Sequence, residues 1–310
     1  MANLDLNLLV ALQALLEESN VTRAAARLGT GQPAMSASLQ RLRRHYRDEL
    51  LVRIGREYRL TPFARTILPG LRTTVRNLEL ALSPSPDFTP EDSSRVFRIA
   101  LSDYAVTVLQ RPLLRQVRAL APGVRIEFGP LPPRATAEQA LLETDVLVGP
   151  RGFGFPGASV ELFRDRLVCV ADPANPALVG RSPTLADLSQ LRHAVAVVGG
   201  PQQGTPSDRL LDQLGVRRSA QVTVSGWLPT LFALHGTQMI AVVPERLALR
   251  VAASARVTVH EPPFPRAELI EAAWWHPEHE VDSGHRWLTR VLREVGEGLA
   301  EQQPGWSRDQ

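Results

Sequence analysis

The chain has 310 residues, 44% hydrophobic and 22% charged, with a net charge of +3 and a single cysteine. That is too long for one ordinary domain and leaves enough apolar material for a core in each of two or three. No run reaches the ~18 apolar residues that span a bilayer. No basic stretch precedes the N-terminal leucines, and Cys169 has no partner for an internal disulfide, so a membrane span and a secreted disulfide scaffold are excluded and a reducing cytoplasm is expected. Every basic residue is arginine. Residues 1–82 hold 12 arginines against 7 carboxylates, or +5, and residues 83–310 hold 23 against 25, or −2. A basic module joined to a near-neutral body implies an anionic partner bound at one end.

Leu9, Leu12 and Leu16 give a first helix its apolar stripe. Thr22 is the expected N-cap of a second, with Ala24, Ala25 and Leu28 turned inward, and Gly29 ends it. Thr30 or Gly31 caps a third helix that carries Pro33 in its first turn, where a missing N–H costs nothing. Met35, Leu39 and Leu42 bury one side of this helix, while Gln32, Ser36, Ala37, Gln40 and Arg41 lie on the other. The pair reads as a helix-turn-helix whose last helix enters the major groove, where glutamine pairs with adenine and Ser36 suits phosphate. Thr22 and Arg23, at the start of the preceding helix, join the candidate contacts. The alternative is a helical hairpin with a solvated face. A basic run (Arg41, Arg43, Arg44, His45, Arg47) follows, then two short strands within residues 50–60 that turn at Gly55. This hairpin reads as a wing whose Arg53 and Arg56 reach phosphates or the minor groove, unless they form an ordinary solvated edge.

At this point the chain resembles the LysR-type transcriptional regulators. The resemblance rests on Asp5-Leu-Asn-Leu-Leu9, Ala24-Ala-Ala-Arg-Leu28, Gln32-Pro-Ala-Met-Ser36, Leu50-Leu-Val-Arg53 and Leu60-Thr-Pro62, in the family's order and spacing. It is most similar to the branch with the nodulation activators and the regulators of aromatic degradation. Gly31 stands where the family usually has serine, and Ala37 where it often has arginine.

Thr61 and Pro62 open a long helix over residues 62–82, with Phe63, Ile67, Leu71, Val75, Leu78 and Leu82 along one seam and Pro69 inside it. Such a seam is expected to pair with a second subunit rather than with its own body, and the resemblance makes it the linker helix of a homodimer. Residues 83–94 form a proline-rich hinge after a winged head of residues 1–61.

Beyond the hinge, strands are expected at 96–101, 124–128, 146–148, 167–171, 194–198, 221–224, 239–243 and 266–275. Helices are expected at 105–120, 136–142, 206–214, 229–235 and 284–299. This alternation implies an α/β body with a parallel sheet. The resemblance implies a two-lobed effector domain like a periplasmic binding protein, one lobe from about 95–165 plus 267–302 and the other from about 166–266.

Ligands in such sheets collect at strand ends and between lobes. The candidates are Ser102, Asp103 and Tyr104; Gly149 and Pro150; Gln203 and Thr205; and Ser225 and Trp227. Ser102 caps a helix, contacts a ligand, or does both. Asp103 would repel an anion, so the effector's charge stays open. Trp274 and Trp275 point to opposite faces of one strand, so one of them can line the cleft while the other packs on a helix; the spacing does not say which, core packing is the alternative for either, and Trp274 is carried as the candidate.

Cys169 reads as a buried strand residue. His276, His279 and His285 with Glu278 and Glu280 match no compact zinc spacing and read as a charged surface loop. No nucleophile elbow, phosphate loop or dinucleotide motif occurs; the glycines of 152–157 have neither the spacing nor the following helix. An enzyme is therefore not expected, and neither is a cofactor. The expected protein is a cytoplasmic regulator that binds promoter DNA and a small organic effector, aromatic ones included. It would be a dimer or tetramer that works with RNA polymerase. Competing readings are a solute-binding protein or enzyme with the first module used only for oligomerisation, and a regulator whose effector site has decayed.

Overall fold

In the computed structural model, residues 6–54, 57–82, 88–200 and 204–301 are described, and the chain divides into two compact units, residues 1–86 and 87–310. In the first unit, α1 (Leu6–Glu18), α2 (Val21–Arg27) and α3 (Gln32–Tyr46) pack on one another, followed by the antiparallel pair β1 (Leu51–Ile54) and β2 (Glu57–Leu60). Leu12, Leu15, Leu16, Ala24, Ala25, Met35, Leu39 and Leu42 make the core, and the alanines permit the close crossing of α2 on its neighbours. Gly55 and Arg56, at the wing tip, lie outside the described residues.

The N-cap of α2 is Asn20, whose side chain accepts from the Arg23 amide at 3.0 Å; Thr22, the expected cap, is an exposed residue inside the first turn. Asparagine and threonine cap comparably, and the helix starts two residues earlier than a Thr22 cap implies.

The long helix α4 (Pro62–Leu82) corrects a second expectation. Ala64, Leu71 and Val75 are buried in the head's own core with Ile67 and Leu68 packed beside them, so the middle of the seam packs within the same chain while Phe63 stays exposed. The Thr61 hydroxyl caps α4 by accepting from the Ala64 amide at 3.0 Å and donates to Asp48 at 2.7 Å, fixing the helix to the wing. Glu17 joins α1 to α2 and α4 through Arg27 at 2.7 Å and Arg72 at 2.6 Å. Burial alone would raise its carboxyl, but the two guanidiniums outweigh that and hold it below the ordinary value.

The second unit begins with β3 (Val96–Leu101), α5 (Asp103–Leu120), β4 (Arg125–Pro130), α6 (Ala137–Glu143), β5 (Val146–Pro150) and β6 (Ala158–Ala171). It continues through α7 (Leu185–Gln190), β7 (Arg192–Val197), α8 (Pro206–Gln213), β8 (Ser219–Ser225), α9 (Trp227–Phe232), β9 (Ile240–Pro244), α10 (Glu245–Ala255) and β10 (Thr258–His260). It closes with β11 (Glu268–Trp275) and α11 (Ser283–Glu301).

The strand order is β4-β3-β5-β11-β6-β9-β7-β8, with β10 also on β6. Only β3 with β4 and β5, and β7 with β8 and β9, are parallel; β11 and β6 run antiparallel to their neighbours, so the sheet is mixed rather than parallel. Strand β6 belongs to both lobes: residues 158–166 pair with β11, and 167–171 pair with β9.

Both sheet faces are covered, which is why these strands read as continuous apolar runs. Val168 and Val170 face the cluster formed with α5, α9, α10 and α11, whereas Leu167, Cys169 and Ala171 face the one with α7 and α8. Cys169 is buried, and burial pushes its thiol up to about 12. The expected surface loop of histidines differs: His279 and His285 are buried, with ring centroids 5.4 Å apart and Trp275 5.6 Å from His285, so these imidazoles pack as aromatic rings. Among the described residues no group of three side chains is placed to hold a metal, and no helix is long and apolar enough to cross a membrane.

Candidate nucleic-acid interface and ligand cleft

In the head, the side of α3 opposite Met35, Leu39 and Leu42 is open. Gln32, Pro33, Ala37, Gln40 and Arg41 are exposed and Ser36 is half-buried. Gly31 begins the helix with no side chain bonding its first amides. Arg53 is exposed on β1, and Arg56 falls outside the described residues. Arg23 is exposed but engaged by Glu18. Arg43, in the same basic run, is turned inward: its guanidinium donates to the carbonyls of Glu49 at 2.9 Å and Leu51 at 3.0 Å, holding the wing against α3.

In the body, the lobes enclose a cleft with two connected parts. The narrow inner part, with room for about 20 Å³, is lined by Ser102, Tyr104, Pro150, Thr205 and Trp227, all expected from the sequence. Leu131, Phe153, Val198, Leu269 and Glu271 line it as well and were not expected. The wider mouth, with room for about 730 Å³, carries Asp103 and Ser225. Ser102 caps α5 by accepting from the Ala105 amide at 3.1 Å and also faces the cleft, so it holds both of its expected positions. Thr205 caps α8 in a reciprocal box with Asp208. Gln203 lies outside the described residues.

Three candidates are placed differently from expectation. Asp103 is not an unpaired charge aimed at a ligand; it accepts from the amides of Trp227 at 3.0 Å and Leu228 at 2.7 Å, capping α9 across the lobes. Gly226 makes this possible, because its φ is +104° and a Cβ there would stand 2.5 Å from the Asp103 carboxylate. Gly149 lets the Phe155 ring approach to where a Cβ would be 2.6 Å away, and it does not line the cleft. Trp274 packs on Phe155 at 6.0 Å and donates to the Gly149 carbonyl at 3.4 Å, outside the cleft lining.

The glycine-rich stretch at 152–157 supplies Phe153 to the cleft wall. The Arg209 guanidinium of the other lobe stacks 3.5 Å from that ring's centre and donates to the Gly152 carbonyl at 2.8 Å. Beneath the cleft, the Tyr104 hydroxyl donates to Asp165 at 2.7 Å. Burial pushes the Asp165 carboxyl up to about 6 against these hydrogen bonds. Burial, and then the neighbouring Asp165, push Glu271 up to about 8. Glu271 had a legible signal, a carboxylate set among the apolar residues 269–275 of its strand.

Comparison with known proteins matches residues 6–65 to the bacterial regulatory helix-turn-helix proteins of the lysR family and residues 90–297 to the LysR substrate binding domain. Nodulation protein D 3 of Rhizobium leguminosarum bv. phaseoli is 35% identical over 290 residues, covering 93% of this chain and 96% of that one. Nodulation protein D of Bradyrhizobium sp. (strain ANU 289) is 34% identical over 302 residues, covering 96% and 88%. A probable transcriptional regulator from Pseudomonas aeruginosa, known from its crystal structure, superposes with a TM-score of 0.75 at 30% identity over 94% of this chain and 97% of that one. Full-length CbnR, solved with its target DNA, shares the fold at 17% identity with a TM-score of 0.64, over 94% and 100%.

Proposed function

The chain belongs to the LysR family of transcriptional regulators, not to an enzyme family, and from that premise we propose how its two units divide the work. The head, residues 1–61, reads promoter DNA with the outward side of α3. Gln32 and Gln40 face base edges; Ser36 and Arg41 hold phosphates alongside Pro33 and Ala37; Thr22 and Arg23 touch the backbone from α2; and Arg53 and Arg56 extend from the wing. The observation that carries this reading is the exposed polar face of α3 backed by the buried Met35, Leu39 and Leu42.

Residues 62–82 pair two chains, using the apolar positions that continue past Val75 in the sequence, and 83–94 serve as the hinge. Residues 95–310 hold a small organic effector between lobes of about 95–165 plus 267–302 and about 166–266. Ser102, Tyr104, Pro150, Thr205 and Trp227 contact it, with Asp103 and Ser225 at the mouth. The effector shifts the population of lobe arrangements, and a dimer or tetramer in the cytoplasm passes that shift to RNA polymerase.

Gel-shift titration on the DNA upstream of the protein's own gene tests the reading. Affinity should fall steeply and linearly in log–log form between about 50 and 200 mM salt, as phosphate neutralisation requires. Absence of salt-sensitive binding there would sink it.

A further inference from the structure

The inner cleft ends on a carboxyl group that the protein itself leaves unused. Glu271 sits on β11 two residues after Leu269, so both project into the cleft from one sheet face. A register shift in the β11–β6 ladder falls between Glu271 and Ala272, where a local bulge re-aims a side chain. Glu271 is only 3% exposed, and its Oε2 has no hydrogen-bond partner.

Among the described residues no salt bridge reaches it, and the charge of Arg246 acts on Asp165 and Tyr104 instead. Asp165 on β6 is already taken by the Tyr104 hydroxyl at 2.7 Å and the amides of Arg166 at 2.8 Å and Arg246 at 3.2 Å. The Arg246 guanidinium on α10 donates to the carbonyls of Arg164 at 3.0 Å and Leu299 at 3.2 Å, bonds that leave its charge beside Asp165. On α5, Tyr104 is a fully buried phenol that stays protonated, since burial and Asp165 raise it well above its ordinary value. Among the described residues no arginine or histidine lines the inner cleft, and the chain has no lysine. An anion there would face the buried Glu271 with no basic side chain among the described lining residues, at a cost that proteins avoid by keeping one proton. A protonated carboxyl is a strong donor.

We propose that Glu271 is the specificity-determining group of the cleft, an uncharged carboxylic acid that donates a hydrogen bond to an oxygen of an uncharged ligand and turns carboxylates away. This rests on the cleft being the effector site and names the chemical class that site accepts. A carbonyl or phenolic oxygen on an otherwise apolar molecule satisfies Glu271 while its body fills the space between Phe153, Leu131 and Trp227.

The test uses the full chain at pH 7 and matched probes: 4-hydroxyacetophenone against 4-hydroxybenzoate, and hexanamide against hexanoate, each followed by the unfolding midpoint and by calorimetric titration. The uncharged members should raise the midpoint and the acids should not. Above pH 8, affinity for hexanamide, which has no proton of its own to lose in this range, should fall about tenfold per pH unit, as loss of one required proton dictates. Glu271→Gln, which keeps a donor without titrating, should retain binding and flatten the profile between pH 7 and 9. Tighter binding of an acid than its neutral partner, no stabilisation by either neutral probe, or a variant with the wild-type pH profile overturns the proposal. Should the variant not fold, the wild-type profile alone decides, a flat one overturning the assignment. Gel shift on the same preparation separates the two levels. Salt-sensitive DNA binding with failed probes removes only the role of Glu271, and loss of that DNA binding removes the regulator reading.

Discussion

The start of α3 in the head and the starts of the helices around the cleft treat the same physical problem in opposite ways. Every helix begins with amides that lack partners and carry partial positive charge. At α3, Gly31 offers no side-chain acceptor, residues 31–34 are exposed, and Pro33 removes one of the amides. In the body, Ser102 caps α5, Thr205 with Asp208 caps α8, and Asp103 reaches from one lobe to cap α9 in the other. One region leaves the positive end of a helix open to an external anion; the other saturates it from within. Charge is therefore available for a partner at the head and withheld at the cleft, where shape and uncharged hydrogen bonds remain to select a ligand.

The sharpest way to break this contrast is Asp103→Ala, which leaves the Trp227 and Leu228 amides without an acceptor. It should cost about 2 kcal/mol in urea unfolding of the body, within the range for unsatisfied donors, and should admit anions to the cleft mouth. A variant as stable as the parent would mean that the bridge between the lobes carries no weight. Gln32→Ala should leave head stability unchanged, because the side chain is exposed, yet remove about 1–2 kcal/mol of discrimination against substituted operator bases. Equal losses on all sequences would reassign Gln32 to the phosphate backbone.

Glu17→Gln tests the internal use of charge in the head. The folded carboxyl lies below its unfolded value, so its stabilisation is present above about pH 4.5 and disappears as pH falls through the folded value. The parent head should lose stability in that acid window, and the variant should be weaker at pH 7 with less further loss. The smallest effect expected is from Gly31→Ser, which adds the missing acceptor and should raise stability by a few tenths of a kcal/mol. A larger rise accompanied by weaker DNA binding would show that the open amides were being used.

The head was readable because its signals are local. The spacing of Met35, Leu39 and Leu42, the alanines of α2 and the Thr61-Pro62 start each act within one or two turns. What went unread there concerns partners distant in the chain: the α4 seam pointed to a second subunit, whereas Leu71 and Val75 meet α1 more than fifty residues earlier.

In the body, the strand ends gave Ser102, Thr205 and Trp227, because the α/β alternation fixes where a cleft must lie. Strand β6 was recognised only at 167–171, since Glu161, Arg164, Asp165 and Arg166 interrupt its earlier half. Those charges are matched across the sheet, Arg164 to Glu268 at 2.6 Å and Arg166 to Glu261 at 2.8 Å, which no local pattern reveals. Helix α10 went unread behind Pro244, which both ends β9 and caps the helix. Trp274 was misplaced because alternation tells that neighbouring residues face opposite ways but not which face holds the ligand.

The position of β11 between β5 and β6 has a consequence for how the protein is made. A chain emerging from the ribosome releases β5 and β6 more than ninety residues before the strand that must sit between them. Until residues 268–275 arrive, those edges bear unpaired backbone groups, the kind of surface that recruits other strands and aggregates. The lobe built on β7, β8 and β9 has all its strands in hand by then and can close first. If the second lobe closes first during synthesis, chaperone demand should peak just before the last strand is translated.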